Sequence, residues 1–269
     1  MATADSRSFG RLLEHIEESL GFATSMYNDA YLDRRISARM RRNDLDDYGS
    51  YQRLLESNED EQQELLDTLS VNVTSFFRNP DVWEALRPVL RELTSNGRTK
   101  VWSAACSDGR EAYSLAMLAH DDPQVRESRV EIVGTDIKRE ILRTARNGVY
   151  EASETNDLET QLEPIGDYER YVSREDDSYR VSRAIKRMTS FRRRDLITQS
   201  PPDTFDLILC RNLFIYIDAD AKRAVFETLG SGLRPDGYLT IGMTETVPSD
   251  CRSWFEPVEK RLRIYRNVR

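Results

Sequence analysis

From residue 99 onward, short apolar runs alternate with stretches of helical periodicity, and this rhythm limits the folds open to the chain more than any other feature. Lys100–Ala104, Val130–Thr135, Phe205–Cys210 and Tyr238–Gly242 read as strands. Glu111–His120, Lys138–Asn147 and Ala219–Leu229 between them read as helices. Strand, helix, strand in this order implies a parallel sheet covered on both faces. The fold class expected is therefore α/β, a Rossmann-like sheet. Residues 150–190 break the rhythm with a mostly polar segment, read as an insertion carrying one or two short antiparallel strands, and the chain closes on a hairpin from Arg252 to Arg266.

The first ninety residues have a different period. Phe9, Leu12, Leu13, Ile16 and Leu20 recur at helical spacing, as do Leu65, Leu66, Leu69 and Val73, and Asn58 before Glu59–Glu61 marks a capped helix start. The organisation expected is a helical domain over 1–90 and an α/β domain over 91–269, with the inserted β-subdomain at about 150–190. Within the helical domain, Leu32, Ile36 and Met40 form the apolar stripe of a helix over 31–42 whose other face is arginine. That stretch carries +4, inside a chain whose formal net charge is −8.

A globally acidic chain is a poor generic partner for nucleic acid, so an anionic partner has to be met by a local basic patch. No apolar run approaches the ~20 residues of a membrane span, and with no apolar signal core near the N-terminus a cytoplasmic location is expected. Cys106, Cys210 and Cys251 are far apart, and only His15 and His120 could join them, so neither a metal centre nor a disulfide framework is expected.

In an open parallel sheet, ligands bind beyond the carboxyl ends of the strands. The first strand runs into the small-residue loop Ser103-Ala-Ala-Cys-Ser-Asp-Gly109, and the second ends in Asp136, positioned to accept from two ribose hydroxyls. The loop has neither Gly-x-Gly-x-x-Gly nor the phosphate-cradling Gly-x-x-x-x-Gly-Lys-Ser/Thr pattern. An adenosine ligand without a phosphate fits better, and S-adenosylmethionine is the common one.

Five blocks in order sharpen this reading: Asn72-Val-Thr-Ser-Phe-Phe-Arg78, Val101–Ser114, Gly134-Thr-Asp-Ile137 with Ala145–Tyr150, Phe205–Tyr216, and Gly237–Glu245. Together they resemble the CheR-type chemotaxis receptor glutamate methyltransferases over nearly the whole chain. The resemblance implies S-adenosylmethionine as cofactor and Asn72, Thr74, Arg78, Glu111, Asp136, Asp195, Leu196, Arg211 and Asn212 as its contacts. Arg78 would neutralise a carboxylate, the cofactor's own or the substrate's, and Arg78 and Tyr216 would position the acceptor. From residue type alone, Asn72 and Thr74 also suit a helix cap, and Tyr216 a core aromatic.

The chain departs from the family pattern in two of its motifs. Asp195 stands where an Asn is usual, and Ser107-Asp-Gly-Arg-Glu-Ala-Tyr113 replaces Ser-Thr-Gly-Glu-Glu-Pro-Tyr, so that Arg110 takes the place of a glutamate. Either Glu111 or Asp108 supplies the missing negative charge, or cofactor affinity is weakened. The resemblance further implies that glutamate-rich receptor helices are the substrate, with Arg34, Arg35, Arg39 and Arg42 as their dock. A solvated helix face balanced by nearby aspartates is the plainer reading of the same arginines. A methyltransferase for another acceptor and a cofactor-binding module without catalysis are the alternatives to receptor methylation.

Overall fold

The computed structural model describes residues 4–20, 22, 24–69, 74–153 and 156–269, and divides by its contacts into two compact units. The first comprises 1–72 with 216–221, and the second 73–215 with 222–269. The division falls after residue 72 rather than at residue 90.

In the first unit, α1 (Ala4–Leu20), α2 (Asp29–Arg42), α3 (Tyr48–Ser57) and α4 (Glu59–Leu69) surround a core of Leu12, Ile16, Leu32, Ile36, Tyr51, Leu55, Leu65 and Leu69, all fully buried. The starts of α2, α3 and α4 are set by side-chain caps. Asn28 accepts from Ala30 N–H at 2.9 Å, Asp47 from Ser50 N–H at 2.8 Å, and Asn58 from Glu61 N–H at 3.0 Å. The 216–221 segment joins this unit through Asn28 N–H, which donates to Tyr216 O at 3.1 Å, and a bridge between Tyr27 and Ile217.

The second unit opens with α5 (Pro80–Asn96), whose Val82, Trp83, Leu86 and Leu90 are buried in the core cluster of this unit, which is why the division precedes the helix. Then follow β1 (Thr99–Ala104), α6 (Arg110–Asp121), β2 (Val130–Asp136), α7 (Arg139–Asn147), β3 (Val149–Glu151), α8 (Leu158–Leu162), β4 (Val172–Glu175), β5 (Ser178–Val181), α9 (Arg183–Lys186) and β6 (Thr189–Arg193). The unit ends with β7 (Phe205–Cys210), α10 (Ala219–Gly232, whose first residues fall in the first unit), β8 (Leu233–Ile241), β9 (Phe255–Glu259) and β10 (Ile264–Asn267). Seven strands form one sheet in the order β6-β2-β1-β7-β8-β10-β9. The first five are parallel, and β10 and β9 are the antiparallel closing hairpin.

Every residue of β7 is buried, as expected for a central strand covered on both faces. Strand order reverses between β1, which is followed in sequence by its neighbour β2, and β7 on its other side, and this opens the ligand crevice at the carboxyl ends of those strands. The insertion holds more sheet than expected, three antiparallel strands in the order β3-β5-β4. It is also shorter at its end, because Thr189–Arg193 leaves it to pair parallel with β2. Among the described residues, no helix is long and apolar enough to cross a membrane.

Candidate active site

The loop between β1 and α6 follows a path that non-glycine residues rarely take. Ala105 has φ +57° and Ser107 φ +53°, followed by Gly109 at +90°. Strain of this kind persists only where the surroundings fix it, and it gathers at functional sites. Here Cys106 N–H donates to Thr135 O at 2.8 Å, and Ser107 N–H donates to the Asp136 carboxylate at 2.9 Å. The other Asp136 oxygen accepts from Lys138 N–H at 3.0 Å. The carboxylate at the end of β2 is thereby locked in orientation beside the loop. Burial raises the Asp136 pKa above the ordinary carboxylate range, against the pull of those N–H groups.

Glu111, in the first turn of α6, accepts from Ser103 Oγ at 2.8 Å and faces Arg211 at 3.5 Å. Burial raises its pKa too, with the Arg211 guanidinium opposing. Arg211 itself is buried at the end of β7. It donates to Arg78 O at 2.8 Å and to Asn79 Oδ1 at 3.0 Å, with its guanidinium 5.5 Å from the Trp83 ring centre. It therefore reaches the crevice through the residues it holds, tying the 78–79 turn to Glu111. The positive charge of half-buried Arg78 is felt at both Glu111 and Arg211.

Asn212 has φ +62°, and the turn it starts is held by one carboxylate that sequence reasoning did not single out. Glu245 accepts from the N–H of Asn212 at 3.0 Å, Phe214 at 2.7 Å and Gly242 at 2.6 Å. A Cβ at Gly242 would lie 2.5 Å from the Glu245 carboxylate, so only glycine permits this approach. The signal for it was the glycine three residues before an acid at a strand end.

The remaining expected contacts are placed as follows. Thr74 is half-buried in the stretch before α5, and Asn72 lies outside the described residues. Asp195, just past β6, spends its carboxylate on its own turn, accepting from Ile197 N–H at 2.9 Å and Thr198 Oγ1 at 2.8 Å, and Leu196 is buried beside it. Arg110 is turned toward the insertion. Its guanidinium pairs with Asp108 at 2.9 Å and donates to Asn156 at 2.9 Å and Gln161 at 3.1 Å. Asp108 is occupied by this pair, which leaves Glu111 as the acid at the start of α6.

In the first unit, Tyr216 packs on Tyr31 with ring centroids 5.1 Å apart, and the guanidinium groups of Arg34 and Arg35 lie 5.9 and 5.6 Å from the Tyr31 ring centre. The expected acceptor-positioning tyrosine and two docking arginines thus share one cluster. Arg34 and Arg42 are exposed, and Arg35 is half-buried. Arg39 corrects the expectation of four docking arginines. It is 7% exposed and bound to Glu61 at 2.5 Å and Glu64 at 2.9 Å, so its charge is spent inside the helical unit.

The crevice suits an uncharged nucleoside bearing a cationic tail. A phosphate would meet the carboxylates of Glu111 and Asp136, whereas ribose hydroxyls and an ammonium would find acceptors in them. Ser107 Oγ, buried in the strained loop without a hydrogen-bond partner, offers one more polar contact. No group of three or more potential metal ligands occurs among the described residues.

A parallel sheet with an acid at the end of β2, a small-residue loop after β1 and no phosphate cradle defines the S-adenosylmethionine-dependent methyltransferase class. The model of the CheR methyltransferase SAM binding domain matches residues 72–264, and that of the CheR methyltransferase all-alpha domain matches 7–70. The chain belongs to the CheR methyltransferase family. Curated relatives named chemotaxis protein methyltransferase include one from Listeria monocytogenes, 33% identical over 87% of this chain and 89% of the relative. Another, from Escherichia coli K12, is 31% identical over 91% of this chain and 86% of the relative.

Proposed function

We propose that this protein methylates glutamate side chains on the cytoplasmic helices of chemotaxis receptors, giving glutamyl methyl esters and S-adenosylhomocysteine. The observation that carries the reading is the pair of carboxylates at the crevice, Asp136 fixed by two N–H groups and Glu111 fixed by Ser103 and Arg211. When bound, S-adenosylmethionine supplies a methyl group already activated by its sulfonium. Asp136 accepts from the ribose hydroxyls, and Glu111 meets the ammonium of the methionine part. Thr74, Asn212, Asp195 and Leu196 border the remainder, with Asn72 assigned from the motif alone.

The acceptor glutamate is ionised at neutral pH, so the chain has no proton to remove from it and needs no general base. Its residues have to orient a carboxylate in line with the methyl and exclude water. Arg78 and Tyr216 are assigned that positioning, and Arg34, Arg35 and Arg42 the attraction of an acidic receptor helix.

The test is transfer of a labelled methyl from S-adenosylmethionine to receptor cytoplasmic fragments. A base-labile label on glutamate is expected. A base-stable label would point to another acceptor, and cofactor binding without transfer would point to a module that senses the cofactor.

A further inference from the structure

Arg110 stands at the centre of a closed network linking three separate stretches of chain. Its guanidinium pairs with Asp108 at 2.9 Å, and the two side chains are only 12% and 11% exposed. The same guanidinium donates to Asn156 Oδ1 at 2.9 Å and Gln161 Oε1 at 3.1 Å, and lies 5.3 Å from the centre of the Tyr150 ring. Gln161 Oε1 also accepts from Phe76 N–H at 3.1 Å. Tyr150 donates to Asp108 O at 2.7 Å and meets Phe76 edge-on, with ring centroids 5.1 Å apart. A second tie runs through the backbone of the same residue, because Phe77 N–H donates to Ser114 Oγ at 3.0 Å, and Ser114 Oγ donates to Arg110 O at 2.7 Å. Both main-chain N–H groups in the middle of the 74–78 stretch are thus anchored, through one intermediary each, to Arg110.

We propose that Asp108 and Arg110 form a coupled positioning pair that holds the Thr74–Arg78 stretch against the loop after β1, and thereby sets cofactor affinity. The proposal rests on the reading of Thr74 and Arg78 as cofactor contacts. The two members are each other's compensation. Without Asp108 the largely enclosed Arg110 guanidinium keeps only the neutral acceptors Asn156 and Gln161, and a carboxylate in place of Arg110 sets an acid beside buried Asp108. Replacing both members, which leaves neither an uncompensated cation nor a pair of adjacent acids, should therefore cost less than replacing either alone.

The experiment measures S-adenosylhomocysteine binding by isothermal titration, well below the melting temperature, for the full chain and for D108T, R110E and D108T/R110E. Each single variant should weaken binding about tenfold or more, and the double variant should bind more tightly than either single. Q161L keeps the ion pair but cuts the tie to Phe76, so it should also weaken binding, and it carries the test if R110E does not fold. Unchanged affinity in the single variants and Q161L, or losses that simply multiply in the double variant, would overturn the pair. Absence of binding by the unmodified chain would instead overturn the cofactor reading beneath it.

Discussion

Arg39 and Arg42 lie three residues apart on one cationic helix and have opposite fates. Arg42 is exposed, whereas Arg39 is enclosed by Glu61 and Glu64, with Tyr51 donating to the same Glu61 at 2.6 Å. Removing one partner of a buried ion pair leaves the other uncompensated, so R39A should cost about 3–5 kcal/mol in urea denaturation. R42E should leave stability unchanged and raise KM for the receptor. Burial pushes the Glu61 pKa up, but the hydrogen bonds from Arg39 and Tyr51 prevail and hold it below its usual value. Its stabilising contribution is therefore complete at neutral pH and is lost as pH falls through that lowered value, measurable as acid unfolding that E61Q makes less steep. The site carboxylates behave in the opposite sense. Burial raises the pKa values of Asp136 and Glu111, so their charged, accepting forms disappear at a higher pH than those of exposed carboxylates. Titration calorimetry with S-adenosylhomocysteine should show constant affinity near neutrality and a decline on acidification that begins above the ordinary carboxylate range. D136N should weaken binding about tenfold or more at pH 7.

Among the elements, the central strands were legible because burial on both faces demands near-continuous apolar runs, as in Leu207–Cys210 of β7, and the helices because their apolar stripes repeat at helical spacing. Strand β6 was not. Thr189–Arg193 offers one large apolar residue, Phe191, between polar neighbours, and only its pairing with β2 makes it part of the main sheet. That pairing is close, since a Cβ on Gly134 of β2 would lie 2.6 Å from the Phe191 ring. G134A should therefore destabilise the α/β unit by about 1–3 kcal/mol through overpacking, read by chemical denaturation. The helix α5 fell on the far side of the expected boundary for a related reason. Its period is helical like that of the residues before it, and only its packing among Trp83, Leu86 and the core of the second unit assigns it there.

For the whole molecule, a net charge of −8 would predict repulsion of an acidic partner, yet α2 carries a surplus of arginine. If this helix receives glutamate-rich receptor segments, KM for the receptor should rise between about 50 and 300 mM salt, where the screening length shortens, while KM for the cofactor changes little. Equal salt dependence of both would argue against docking through α2. The sequence by itself determined the layered α/β class, the helical N-terminal unit, the strand-end acid Asp136 and the motif order that marks the family, because periodicity and local spacing are properties of neighbouring residues. Tertiary structure decided which charges are available. Arg39 and Arg110 look like free cations in the sequence, and Glu245 like an ordinary acid. Beside the local Asp108 and Gly242, their partners come from distant parts of the chain: Glu61 for Arg39, Asn156 and Gln161 for Arg110, and the N–H groups of Asn212 and Phe214 for Glu245. Whether a charge faces a ligand or is consumed internally depends on such long-range neighbours, which linear spacing does not encode.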